Sequence, residues 1–270
     1  MGYRVMNELK FIEEYGLPTD RVKHSKGVTR GVLQHKLYPT LTKREQLTLL
    51  LAAQYHDVGY STQITHSTGV PQQHYIHGYL HLKNKGVEPQ ACRLVLHHTY
   101  ARDLERIKFN DLTIFNRNPL LPQDAKLLFI LNDCDMTTNS KGEMVTKETR
   151  LNDIIKRYSD THVVTIHFKK AIQLHSLEEQ KYTTDDIDVT LKTSPQDILG
   201  GILEDIVSLR RSYKYLPKSK TVRPFIDFRL LEDVQSKHPY NIFTDNELIC
   251  LATICIEYLY PHHIITHKAE

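Results

Sequence analysis

Histidine and aspartate recur in the first half of this chain at positions where helices should be ending. The doublet His56-Asp57 closes the apolar run from Leu47 to Ala53 and is followed at once by Val58-Gly59-Tyr60. Both side chains cost free energy to bury unless something binds them, and a metal ion is the simplest partner that satisfies both. His24 lies upstream, His74, His77, His97 and His98 lie downstream, and Asp133 ends a later apolar run. A set rich in imidazole and carboxylate and lacking thiolate suits Mn, Fe, Co, Ni or Zn better than it suits a structural zinc. More than four ligands points to two ions, so one or two divalent transition metals are the expected cofactor.

These residues need helices to bring them together. A helix over about 21–38 carries His24 with Val28, Val32 and Leu33 as its inward stripe. Thr42 and Glu45 have the spacing of a capping box for a helix over 43–56, whose apolar run is buried nearly all round. The polar stretch STQITHSTGVPQQ then reads as a loop or lid. A helix over 74–85 puts His74, His77 and His81 on one face. Pro89 opens a helix that runs to His97-His98, and DAKLLFILNDCD predicts a helix in which Asp133 is preferred over Asp135 as the carboxylate needing a partner. Helices are also expected near 7–14, 147–158, 166–180, 195–213 and 246–259. The reading is all-α, with residues 1–150 as one domain and 151–270 as a C-terminal helical region, either separate or packed on the first as one globule.

The order His24, His56-Asp57, Asp133 resembles the HD-domain superfamily of metal-dependent phosphohydrolases over about residues 20–140. RVKHSKGV carries the first histidine, LLLAAQYHDVGY the doublet and AKLLFILND the last aspartate. The resemblance implies an HD-domain helical bundle in which His24, His56, Asp57 and Asp133 bind a first metal, with Asp57 bridging to a second. The accessory histidines of its two-metal branches correspond to His74, preferred over His77 because of the placement of Gly78, and to His97 or His98. Taking His74 and His97 as ligands leaves His77 and His98, beside Asp57, as the catalytic groups, suited to donating a proton to the leaving oxygen. Lys23, Lys26, Arg102 and Arg106 are the expected phosphate-binding cations. HHTYARD lacks the GYP of the cyclic-di-GMP phosphodiesterases, and HDVGY lacks the acidic pair expected of guanosine tetraphosphate hydrolases.

Composition narrows the alternatives. A net charge of +3 over 270 residues gives no strong nucleic-acid signal. The four cysteines form no CxxC pair, and the first residues lack a basic-then-apolar leader. Together with the absence of a spanning segment these features fit a cytoplasmic protein with no membrane partner. The expected partner is a small phosphorylated substrate, a nucleotide for preference, and a homo-oligomer is allowed. A di-iron oxygenase of the same superfamily and a non-catalytic metal-containing binding module are the rival readings.

Overall fold

Thr42 begins the helix against which the others pack. Its hydroxyl accepts from Glu45 N at 3.3 Å while Glu45 Oε2 accepts from Thr42 N at 2.8 Å, so the expected capping box forms. The helix that follows, Lys43–Tyr55, is buried from Gln46 onward. Leu47, Leu49, Leu50 and Leu51 are within 1% of complete burial, a transfer free energy of at most roughly 6–12 kcal/mol. That burial offsets the cost of carrying His56 and Asp57 into the interior at the helix's end.

The computed structural model describes residues 12–64, 73–182, 194–211, 214–215, 224–225 and 243–259. The architecture is all-α. The helices are α1 Thr19–Gln34, α2 Lys43–Tyr55, α3 His74–Asn84, α4 Pro89–His97, α5 Ala101–Lys108, α6 Thr113–Arg117, α7 Ala125–Met136, α8 Lys147–Tyr158, α9 Val163–Glu179, α10 Pro195–Arg211 and α11 Asp245–Leu259. The extended pairing among these residues is a two-residue antiparallel ladder, Lys214–Tyr215 with Pro224–Phe225, and a bridge between Thr138 and Met144. Most of the helix expected over 7–14 and the lid-like stretch at 65–72 lie outside the described residues. Among the described residues no helix is long and apolar enough to cross a membrane.

The chain divides into two compact units, Met1–Thr190 and Leu191–Glu270. The first runs well past the expected boundary at 150 because α8 and α9 belong to it. Met136, at the end of α7, forms an apolar cluster with Ile154 of α8 and with Phe168 and Ala171 of α9. In the second unit α10 and α11 pack on each other. Their first turns are closed by Ser194 with Asp197 and by Thr244 with Glu247, each pair exchanging side-chain and backbone hydrogen bonds.

In the first unit α1 packs on α2 and α7, α4 packs on α2 and α3, and α3 packs on the 3-10 turn Val58–Tyr60. Two buried carboxylates set the register. Asp124, fully buried, accepts from Arg93 Nε at 2.7 Å, Gln90 Nε2 at 3.0 Å and Leu121 N at 2.9 Å, which ties the start of α7 to α4. Glu105 accepts from Gln73 Nε2 at 2.7 Å and Tyr75 Oη at 2.5 Å, which ties the start of α3 to α5.

The closest approach in this packing is at Gly59. A Cβ there would lie 1.8 Å from His74 O and 2.6 Å from Gly78 N, so only glycine lets α3 sit against the turn after α2. Gly200, inside α10, has nothing within 4 Å of the same atom. Gly59→Ala is expected to destabilise the first unit by at least about 2–3 kcal/mol. Gly200→Ala should instead stabilise its helix by about 0.4–1 kcal/mol. Urea denaturation of both variants checks this, and a neutral Gly59→Ala would contradict the packing described.

Candidate metal centre

Three histidines are oriented in the same way, and the atom left over is the one that can bind a metal. His56 Nδ1 lies 2.8 Å from Ala53 O, His98 Nδ1 lies 2.6 Å from Val95 O and His24 Nδ1 lies 3.2 Å from Asn139 O. A carbonyl can only accept, so each Nδ1 donates and each Nε2 is turned toward the cluster, where His56 Nε2 makes no hydrogen bond while His24 Nε2 contacts Asp135 and His98 Nε2 contacts His74. Those Nε2 atoms converge. His24 Nε2, His56 Nε2 and a carboxylate oxygen of Asp135 lie within 4.8 Å of one another, as do ligand atoms of Asp57, His74 and His98.

Asp57 stands between the two groups. Its Oδ2 is 3.9 Å from His24 Nε2 and 3.8 Å from His56 Nε2, while its Oδ1 is 3.6 Å from His74 Nε2 and 3.9 Å from His98 Nε2. Arg21, one turn before His24 on α1, donates to Asp57 Oδ2 at 3.0 Å and lies over the Tyr60 ring. Tyr60 in turn stacks on His74. Burial alone would push the Asp57 carboxyl up, but His56, Arg21, His74 and His24 outweigh it and hold the group well below the usual carboxylate range. Asp135 follows the same pattern, with a 2.9 Å contact to His24 Nε2 as the main opposing cause. Burial pushes His74 and His98 toward the neutral form from which an imidazole can ligate, with Asp57 opposing in both.

His98 reaches the cluster through an irregular turn. α4 ends at His97, and Thr99 (φ 46°) and Tyr100 (φ 56°) are both left-handed, a conformation that costs about 1–3 kcal/mol for a residue other than glycine. The surroundings hold it in place. Thr99 N donates to Asn132 Oδ1 at 2.6 Å, His167 Nε2 donates to Thr99 O at 2.8 Å, and Tyr100 Oη donates to Glu178 Oε2 at 2.7 Å. The Thr99 hydroxyl donates to Asp135 Oδ2, so the strained turn also orients that carboxylate.

The structure brings His24, His56, Asp57, His74 and His98 together and sends other expected residues elsewhere. Asp133 is replaced in the cluster by Asp135. Helical residues two apart diverge by about 200°, and Asp133 faces away, pairing with Lys147 Nζ at 2.9 Å. His97 also points away, packing on Phe115 with its Nε2 on Asn118 O at 2.9 Å. His77 is fully buried on α3 and belongs to neither group of ligand atoms.

A pocket of about 160 Å³ opens over the cluster. Its lining includes Arg21, Tyr60, Thr99, Lys108, Arg150, Arg157 and His167. The expected cations do not line it. Lys23, Arg102 and Arg106 are exposed and Lys26 is half-buried, with Arg102 bound to Asn116 and Arg106 beside Asp103. Arg21 had a legible signal in its position one turn before His24, whereas Arg150, Arg157 and His167 sit on helices whose spacing reads as ordinary amphipathic structure.

No family model, no curated protein and no solved structure matches the chain.

Behind Asp133 lies a second titrating group. His35 Nε2 is 3.6 Å from Asp133 Oδ2, and His35 Nδ1 accepts from Leu37 N at 3.2 Å. Burial pulls the His35 pKa down to about 4, against the opposing pull of Asp133. The neutral form therefore belongs to the folded state. Its contribution is complete above pH 6.5 and is lost as pH falls from 6.5 through 4. Unfolding free energy in EDTA should drop on the order of 1–3 kcal/mol from this group across that window. His35→Gln should flatten the slope in urea titrations at several pH values; an unchanged slope would show that His35 is not the source.

Proposed function

We propose that the chain is a metal-dependent phosphohydrolase acting on a nucleotide or related phosphate ester. The observation that carries this reading is Asp57, whose two oxygens face separate groups of histidine nitrogens. A donor set of imidazoles and carboxylates without thiolate fits two divalent transition ions. His56 Nε2 is buried and makes no hydrogen bond, as expected of an atom kept for a metal. His24, His56 and Asp135 would hold one ion, His74 and His98 the other, and Asp57 would span both. Ions bound there supply a water able to attack at neutral pH and offset charge on phosphoryl oxygens.

The protein's own groups set the geometry. Ala53 O, Val95 O and Asn139 O fix three imidazoles, Thr99 turns Asp135 inward, and Arg21 keeps Asp57 ionised and aimed. His167, with Nε2 donating to Thr99 O and a buried Nδ1 that makes no hydrogen bond, is the pocket's remaining imidazole. It would take the proton-donating role that the sequence reading gave to His77 and His98. The resemblance to the HD-domain superfamily supports the reading, with Asp135 rather than Asp133 as the closing carboxylate.

Elemental analysis of purified protein, followed by a screen of nucleotides with Mn or Co, tests this. Up to two equivalents of metal and hydrolysis of at least one nucleotide are expected. Asp57→Ala should lower the rate by at least about a thousandfold, the scale of several kcal/mol of metal charge stabilisation. Asp135→Ala should lose metal, while Asp133→Asn should keep it. Full activity in Asp57→Ala would overturn the assignment, and iron-dependent oxygen consumption without hydrolysis would replace it with the oxygenase reading.

A further inference from the structure

Arg150 on α8 is in an unusual position for an arginine. It is only 8% exposed, and its Nε and Nη1 make no hydrogen bond. Buried guanidinium groups are rare unless paired. Asp153 stands 3.6 Å from Nη1, but that carboxylate accepts from Arg157 Nη2 at 2.9 Å. Burial pulls the Arg150 pKa down, and although Asp135 opposes this, Arg157 and Arg21 add to the fall. Leaving such a group without hydrogen-bond partners costs about 1–3 kcal/mol or more, and an anionic ligand would remove that cost.

Arg150 lines the pocket over the candidate metal centre. The charges on that lining are unequal, with Arg21, Lys108, Arg150 and Arg157 against Asp57 and Asp135. Both carboxylates belong to the proposed metal centre, and Arg21 is committed to Asp57. Arg150 and Lys108 remain to meet a ligand, with Arg157 beside them on Asp153. The pocket's 160 Å³ falls below the roughly 300–1,000 Å³ of sites that enclose a whole drug-sized molecule. A pocket of that size has room for the anionic end of a ligand rather than for a whole nucleotide.

Resting on the phosphohydrolase reading, we propose that Arg150, supported by Lys108 and Arg157, holds a second phosphoryl group, so that the substrate is a phosphoanhydride such as an oligophosphate. Hydrolysis would form a P–O bond from the water oxygen to the phosphorus at the metal centre and break the bridging P–O bond. The electron pair would leave with the phosphoryl group held by Arg150, and the water's proton would pass to solvent or to the departing oxygen.

The test is calorimetric titration of the Mn-loaded full chain with imidodiphosphate, which is not hydrolysed at the bridge, and separately with orthophosphate. The wild-type protein should bind imidodiphosphate more tightly. Arg150→Gln should weaken imidodiphosphate by about tenfold to a hundredfold while leaving orthophosphate within about threefold. Arg150→Lys should recover only part, because an ammonium lacks the planar fork of the guanidinium. Arg157→Gln, at an exposed position, should give a smaller loss of the same selectivity and stands in should Arg150→Gln fail to fold. Equal weakening of both anions, or no change in their ratio, would overturn the subsite. Arg150-dependent imidodiphosphate binding without any hydrolysis would overturn the phosphohydrolase reading and leave the subsite standing; hydrolysis without that dependence would do the reverse.

Discussion

Asp57 is a carboxylate with almost no access to water, and its surroundings are arranged to keep it charged. Arg21 bonds it directly, and His24, His56, His74 and His98 all come within 4 Å. A buried ion of this kind is tolerated only when its partners are held in place. Here the holding is done by main-chain carbonyls on imidazole Nδ1 atoms and by a tyrosine ring that supports both Arg21 and His74. The leucine-filled body of α2 supplies the rigidity behind the doublet. Apolar packing and charge placement thus meet at one residue.

The parts of the site that a helical period could position were readable in advance. His24, His56, Asp57 and His74 each sit at the start or end of a helix whose apolar stripe is plain, and the cap at Thr42 fixed where α2 begins. The cluster differs from the sequence reading in choices of register within one turn. Asp133 or Asp135 depends on how α7 is rotated, which Asp124 and its arginine decide from the far end of the helix. His97 or His98 depends on a left-handed turn at Thr99 and Tyr100, and neither residue type announces such a turn. Where α8 and α9 dock was left open for a similar reason, since their apolar faces show that they dock but not on what.

Helices α8 and α9 also build part of the pocket over the cluster. The resemblance to the HD-domain superfamily ends near residue 140, yet Arg150, Arg157, Tyr158 and His167 all line the pocket over the cluster. The proposed metal centre is built from the first part of the chain, whereas the pocket over it draws on both parts, with Arg21 and Lys108 from the first.

The turn between α7 and α8 contributes no ligand atom to either group, yet it is threaded against α1 at very short range. Gly142, at φ +80°, lies where a Cβ would be 2.4 Å from Lys23 O, and a Cβ on Gly27 would meet Gly142 itself at 2.6 Å. The same turn delivers Asn139 O to His24. Surface turns ordinarily absorb insertions and deletions with little effect. This one acts as a spacer of fixed length, so adding or removing a single residue between Asn139 and Gly142 would release the His24 imidazole and disturb the centre from a position that carries none of its ligands.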